Sequence, residues 1–234
     1  MVATTPSSVP WLSEFGPDAS AVLISVLLVA AYYAFLLWQR RRNPTYTIHA
    51  VNEIARTRWV EHVMSTPGKD IVAVQTLRNF VMGATLMAST ATFLIVGTLT
   101  LSGQADKIGQ SWHILNTAGS HSAELWIVKV LCLLADFIVA FFAFAMAVRL
   151  NNHVVFMLNV PAQETDNRHE ALTPAGVARR LNRAGNLFAI GMRAFFFAVP
   201  LVFWLFGPAF LVVATVGLVI ALYRLDRNET QTVG

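Results

Sequence analysis

Four stretches of this chain stay apolar for longer than a soluble core helix requires, and the segments between them hold most of the charge. A helix rises 1.5 Å per residue, so some twenty apolar residues cover the roughly 30 Å hydrocarbon core of a bilayer. The runs near 19–38, 80–101 and 123–148 each meet that length. The fourth, Ala184 to Tyr223, is too long for one crossing and is divided at Gly207 and Pro208, which predicts two helices, 184–206 and 208–223. The pattern therefore predicts an all-α, polytopic membrane helix bundle of five spans in a single membrane domain covering 1–234. The last helix has only about sixteen residues, and a re-entrant or oblique path for it is the variant.

Polar periodicity fills in the remainder. Between Gln39 and Lys69, Ile48, Val51, Ala55, Trp59 and Val63 recur at three- and four-residue spacing, the signature of an amphipathic helix lying on the membrane surface or the span ends. Pro67 and Gly68 break it, and Asp70 reads as the cap of the next helix, 71–101. On that helix Gln75, Arg78, Met82, Thr85, Ser89 and Thr92 draw a mostly polar line, while Ala84, Ala88 and Ala91 offer a small-residue surface. Thr173 before Pro174 fits a helix cap and first residue.

Charge sets the expected topology. Arg40, Arg41 and Arg42, then Arg179, Arg180 and Arg183, then Arg224 and Arg227 flank the runs on one side. By the positive-inside rule the loops 39–79 and 149–183 are cytoplasmic, the carboxy terminus is cytoplasmic, and the amino terminus and the loop 102–122 are external. The first run lacks the basic start and cleavage site of a secretory signal and reads as an uncleaved span. The expected location is a bacterial inner membrane. The net charge of +4 is explained by this asymmetry and not by nucleic-acid binding, and the hydrophobic fraction of 56% with mean hydropathy +0.56 excludes an ordinary soluble domain.

Few residues suggest chemistry. Asp136 lies midway along the third span and Arg193 about ten residues into the fourth, so antiparallel neighbours would bring them to one depth as a buried ion pair, either a register lock or part of an ion path. Lys129, seven residues before Asp136, points the same way and either snorkels to the headgroups, with Glu124 as partner, or lines a pore. Thr85, Ser89 and Thr92 either line a conduit entered from the cytoplasm at Gln75, Arg78 and Asn79 or bond to the preceding turn and glue helices. The third span ends at Arg149, where Asn151, Asn152, His153, Asn159 and Pro161 make a polar exit. Cys132 is the only cysteine, so no intrachain disulfide or cysteine metal site exists. The six histidines show no ligand spacing, His113 and His121 fall in the external loop, and no phosphate loop, dinucleotide fingerprint or nucleophile elbow is present, so neither a metal, a cofactor nor an enzymatic activity is expected.

Several strings together carry a likeness: Asn52 with Arg58, Trp59 and Val60; Val74, Gln75, Thr76, Leu77, Arg78 and Asn79; Arg149, Asn152, His153, Asn159 and Pro161; and Trp204, Phe206, Gly207 and Pro208. Over residues 20–225 the chain resembles the domain of unknown function 599 family, membrane proteins of bacteria and plants. That resemblance implies a multi-pass fold and carries no activity, cofactor or catalytic residue. Two functions are expected from the residues: an oligomeric conduit for an ion or small solute along a polar seam of the second to fourth spans, or an accessory or scaffold subunit that contacts other membrane proteins. The partners are the lipid bilayer and either further copies or other membrane proteins.

Overall fold

A computed structural model describes residues 10–103, 123–160 and 170–227. Among these the chain forms six α-helices and no strand: α1 Pro10–Arg42, α2 Ile48–Ser65, α3 Asp70–Ser102, α4 Ala123–Leu158, α5 Pro174–Trp204 and α6 Pro208–Asp226. All but α2 are long and apolar enough to cross a membrane. The protein is an all-α polytopic membrane protein. His113, His121 and Pro161 lie outside the described residues.

The caps follow from local chemistry. Thr47 holds extended dihedrals and its hydroxyl accepts from the Ala50 amide at 3.3 Å, which starts α2. Gly68, at φ +80°, makes the left-handed turn after Pro67 that β-carbon residues avoid. The Lys69 carbonyl accepts from the Ala73 amide, so Asp70 is the first residue of α3 and not its cap, though its carboxylate still suits the positive helix end. Thr173 caps α5 by accepting from the Gly176 amide at 3.2 Å, as its position before Pro174 predicts. Between α5 and α6, amides 205 to 207 bond three residues back, and Gly207 at φ +146° turns the chain into Pro208.

Several helices outrun the apolar runs that predict them, α1 among them at Pro10–Arg42. α4 continues ten residues past 148, because Ala147, Asn151, Val154 and Leu158 extend a buried line at three- and four-residue spacing. α5 begins at Pro174, the start that the Thr173–Pro174 pair predicts, ten residues before its apolar run. α6 has 19 residues, about 28 Å of rise, close to a full hydrocarbon thickness.

The described residues group into two compact units: 10–38, 96–103, 123–135 and 196–225 form the first, and 39–95, 136–160, 170–195 and 226–227 the second. In the first, Ala21, Trp204 and Leu211 pack with Val22, Leu201 and Val212. In the second, α2 lays Val60, Val63 and Met64 against Ala73 and Leu77 of α3, Val154 and Leu158 of α4, and Val177 and Leu181 of α5. The buried face of α2 is rotated from the expected one by about one residue, some 100° of helix: Ile48 and Ala55 are exposed, and Ala50 and Val60 take their place. Phe144 centres the other cluster of this unit, its ring 5.4 Å from Phe188 and 5.3 Å from Phe195.

Candidate functional site

Within the second unit the register of α4 and α5 is set at two points. The Phe144 ring sits so close to Gly191 that a Cβ there would lie 2.7 Å away, and Arg180 donates to the Met157 sulfur at 3.0 Å. Residue 144 thus faces 191, and 157 faces 180. Carried along antiparallel helices, this puts Arg193 level with residue 142, six residues or about 9 Å from Asp136. The expected Asp136–Arg193 pair does not form. Arg193 instead donates to both carboxylate oxygens of Asp226, at 3.2 and 3.0 Å, an anchor at the end of α6. Asp136 keeps its Oδ2 buried with no hydrogen-bond partner among the described residues. Register here is set by side-chain packing of Phe144 on Gly191 and Met157 on Arg180, which counting from the ends of the apolar runs does not include.

The same register brings Asn151 opposite residues 184–186. Asn151 is wholly buried, yet among the described residues neither its Oδ1 nor its Nδ2 has a hydrogen-bond partner, and the buried Oδ1 of Asn186 has none there either. Beside Gly185, the Arg56 guanidinium lies where a Cβ would come within 2.7 Å of its central carbon. Its Nε donates to Asn182 Oδ1 at 2.8 Å, and Asn182 Nδ2 donates to Thr57 Oγ1 at 3.0 Å. These bonds tie α2 to α5. His49, near the start of α2, has its pKa lowered below the ordinary 6.5, first by burial and then by the positive charge of Arg56 and Arg193. Burial likewise lowers the Arg56 pKa, with Glu53 opposing.

The residues expected to form a cytoplasmic entrance do not converge on this cluster. Gln75, Arg78 and Asn79 are exposed on α3, and Arg149, Asn152 and His153 are exposed on α4, while Asn151, expected in the same polar exit, is buried. Thr85, Ser89 and Thr92 also face outward, so no seam of the second to fourth spans encloses them within one chain. Thr92 returns its hydroxyl to the Ala88 carbonyl at 3.1 Å. The small-residue side behaves as expected, with Ala84 and Ala91 buried. Only 11% of the apolar window of α3 is buried, against 39% for α4.

In the first unit Lys129 neither snorkels nor pairs with the exposed Glu124. It is 3% exposed, its Nζ lies 2.9 Å from Asp18 Oδ1, and it sits 5.4 Å from the centre of the Trp204 ring. Trp204 Nε1 donates to the same carboxylate oxygen at 2.8 Å. Asp18, 1% exposed, is therefore the hub of a buried Lys–Asp–Trp cluster joining α1, α4 and α5. Its one sequence signal was a carboxylate at the threshold of an apolar run, with a lysine stranded inside another. Below the cluster a cavity of about 440 Å³ opens beside Cys132 and Ser25.

Among the described residues no group of three His, Cys, Asp or Glu side chains could hold a metal ion. No curated protein and no solved structure matches the chain. Residues 20–231 match a family model described as a protein of unknown function, DUF599.

Proposed function

Because the chain belongs to the DUF599 family, whose description carries no activity, we propose from its geometry alone that it is a non-enzymatic assembly subunit that docks membrane helices through α3. The supporting observation is the outward polar line of that helix. The positions Gln75, Arg78, Met82, Thr85, Ser89 and Thr92 alternate three and four residues apart and lie mostly a third to a half of a turn from the buried line Ala73, Leu77, Ala84, Ala91. Hydroxyls and small residues on such a face let helices approach closely and exchange hydrogen bonds where lipid offers none. The first partner is a second copy of the chain, because one heptad face against itself forms a two-fold interface in which each residue meets its own equivalent. The amino terminus then faces outward and the arginine-rich ends face the cytoplasm of a bacterial inner membrane.

Cysteine scanning tests this. In a Cys132→Ala background, single cysteines at 82, 85, 89 and 92 should cross-link two copies under mild oxidation, and cysteines at 84 and 91 should not. Uniform or absent cross-linking would refute the α3 interface. The conduit reading draws on the unpartnered Asp136 carboxylate oxygen, and it requires liposome flux that Asp136→Asn abolishes.

A further inference from the structure

We propose that the cavity of the first unit is a binding site for one ester-linked acyl chain of a membrane lipid. The cavity, about 440 Å³, is lined almost wholly by apolar groups, among them Val22, Val29, Phe197, Leu201 and Leu211; of its hydroxyls, that of Thr215 donates to the Leu211 carbonyl at 2.7 Å, which leaves Ser25. Its rim carries Val26, which is 57% exposed in the chain and in a bilayer faces hydrocarbon. In that setting no water competes for the space, and an apolar chain enters sideways from the lipid.

Ser25 distinguishes this cavity from a passive groove. It is 7% exposed, and its Oγ is buried without a hydrogen-bond partner among the described residues, although a helical serine commonly bonds to the carbonyl one turn back. An unpaired hydroxyl in an apolar wall is costly, and a ligand carbonyl accepting its proton removes that cost.

The positions along α1 fit a lipid ester. Ser25 stands three residues below Val22 and five above Ala30, the extremes of the lining on this helix, so the hydroxyl meets the upper part of the cavity and about 7–8 Å of α1 continues below it for the chain. Seven residues above Ser25, about 10 Å, Asp18 anchors the cluster with Lys129 and Trp204, and Trp204 also lines the cavity. Paired with each other, Asp18 and Lys129 present no net charge to a headgroup, and the Trp204 ring is amphipathic. This end suits a zwitterionic or uncharged head. The site is independent of the α3 face.

Cys132 lines the same cavity, is exposed and is the only cysteine of the sequence, so its alkylation reads out occupancy in the native chain. The detergent-solubilised protein is treated with N-ethylmaleimide while ester-linked phosphatidylcholine, or its ether-linked analogue without carbonyls, is titrated in. The ester lipid should slow alkylation saturably, and its half-effect concentration should be about two- to tenfold below that of the ether lipid, the span of one ordinary hydrogen bond. Ser25→Ala should erase that preference while leaving protection by the ether lipid unchanged. Ala30→Phe, which fills the cavity from its far end, should abolish saturable protection by both, with circular dichroism showing retained helix. Equal potency of ester and ether lipids on the native chain would overturn the proposal. So would unaltered protection in a folded Ala30→Phe variant, or protection that follows protein concentration rather than lipid, which would place a second copy in the cavity.

Discussion

Removing the carboxylate of Asp18 is the sharpest test of the buried cluster. Asp18→Ala strands the Lys129 ammonium, which is 3% exposed and otherwise 2.9 Å from its counter-ion. Breaking a buried pair from one side costs about 3–5 kcal/mol. The Trp204 indole also loses its 2.8 Å acceptor, and an orphaned buried donor costs about 1–3 kcal/mol. The two effects share one oxygen and do not add in full, and an unfolded chain in a micelle finds substitute partners, so the expected loss is about 4 kcal/mol. Asp18→Asn keeps an acceptor for the indole and should lose about half as much. The double variant Asp18→Ala with Lys129→Met removes both charges and should recover most of the loss, because two absent charges need no desolvation. Lys129→Met alone completes the cycle, and reversible unfolding in mixed micelles, followed by helical circular dichroism, measures all four corners. A loss below about 1 kcal/mol for Asp18→Ala, or costs that simply sum in the double variant, would show that the pair is not the closed, water-free unit described.

Two glycines should separate by what lies over them. Gly191→Ala drives a Cβ to 2.7 Å from the Phe144 ring, which is wedged between Phe188 and Phe195 and cannot withdraw, so a loss of about 1–3 kcal/mol is expected in the same assay. Gly185→Ala meets the end of the flexible Arg56 side chain instead; the guanidinium slides, its bond to Asn182 breaks, and the cost should stay near 1 kcal/mol. The lowered pKa of His49 makes stability depend on pH. The unfolded chain binds that proton more readily than the folded one, so the contribution is complete above pH 6.5 and declines as pH falls from 6.5 through the lowered folded value. His49→Asn should flatten this decline in unfolding measured from pH 7.5 to 5, and an identical slope in both proteins would refute the assignment.

Chain length and apolar periodicity determined the class of this protein unaided. Four runs, the break at Gly207–Pro208 and the Thr173–Pro174 cap follow from hydrogen-bond closure in lipid and from backbone sterics, both local rules, and all reappear in the five spans. What remained out of reach was pairing. Which carboxylate answers Arg193 or Lys129 depends on helix register, set by contacts such as Phe144 on Gly191, and that register gives Arg193 to Asp226 and leaves Asp136 about 9 Å away along α4. Facing is hidden for the same reason. A polar line on α3 reads the same from sequence whether it points inward or outward, and only the packing of Ala84 and Ala91 against the rest of the second unit decided that Thr85, Ser89 and Thr92 face away from the chain. Each helix was determined by its own residues, whereas the contacts that join helices were decided by three-dimensional neighbours far apart along the chain.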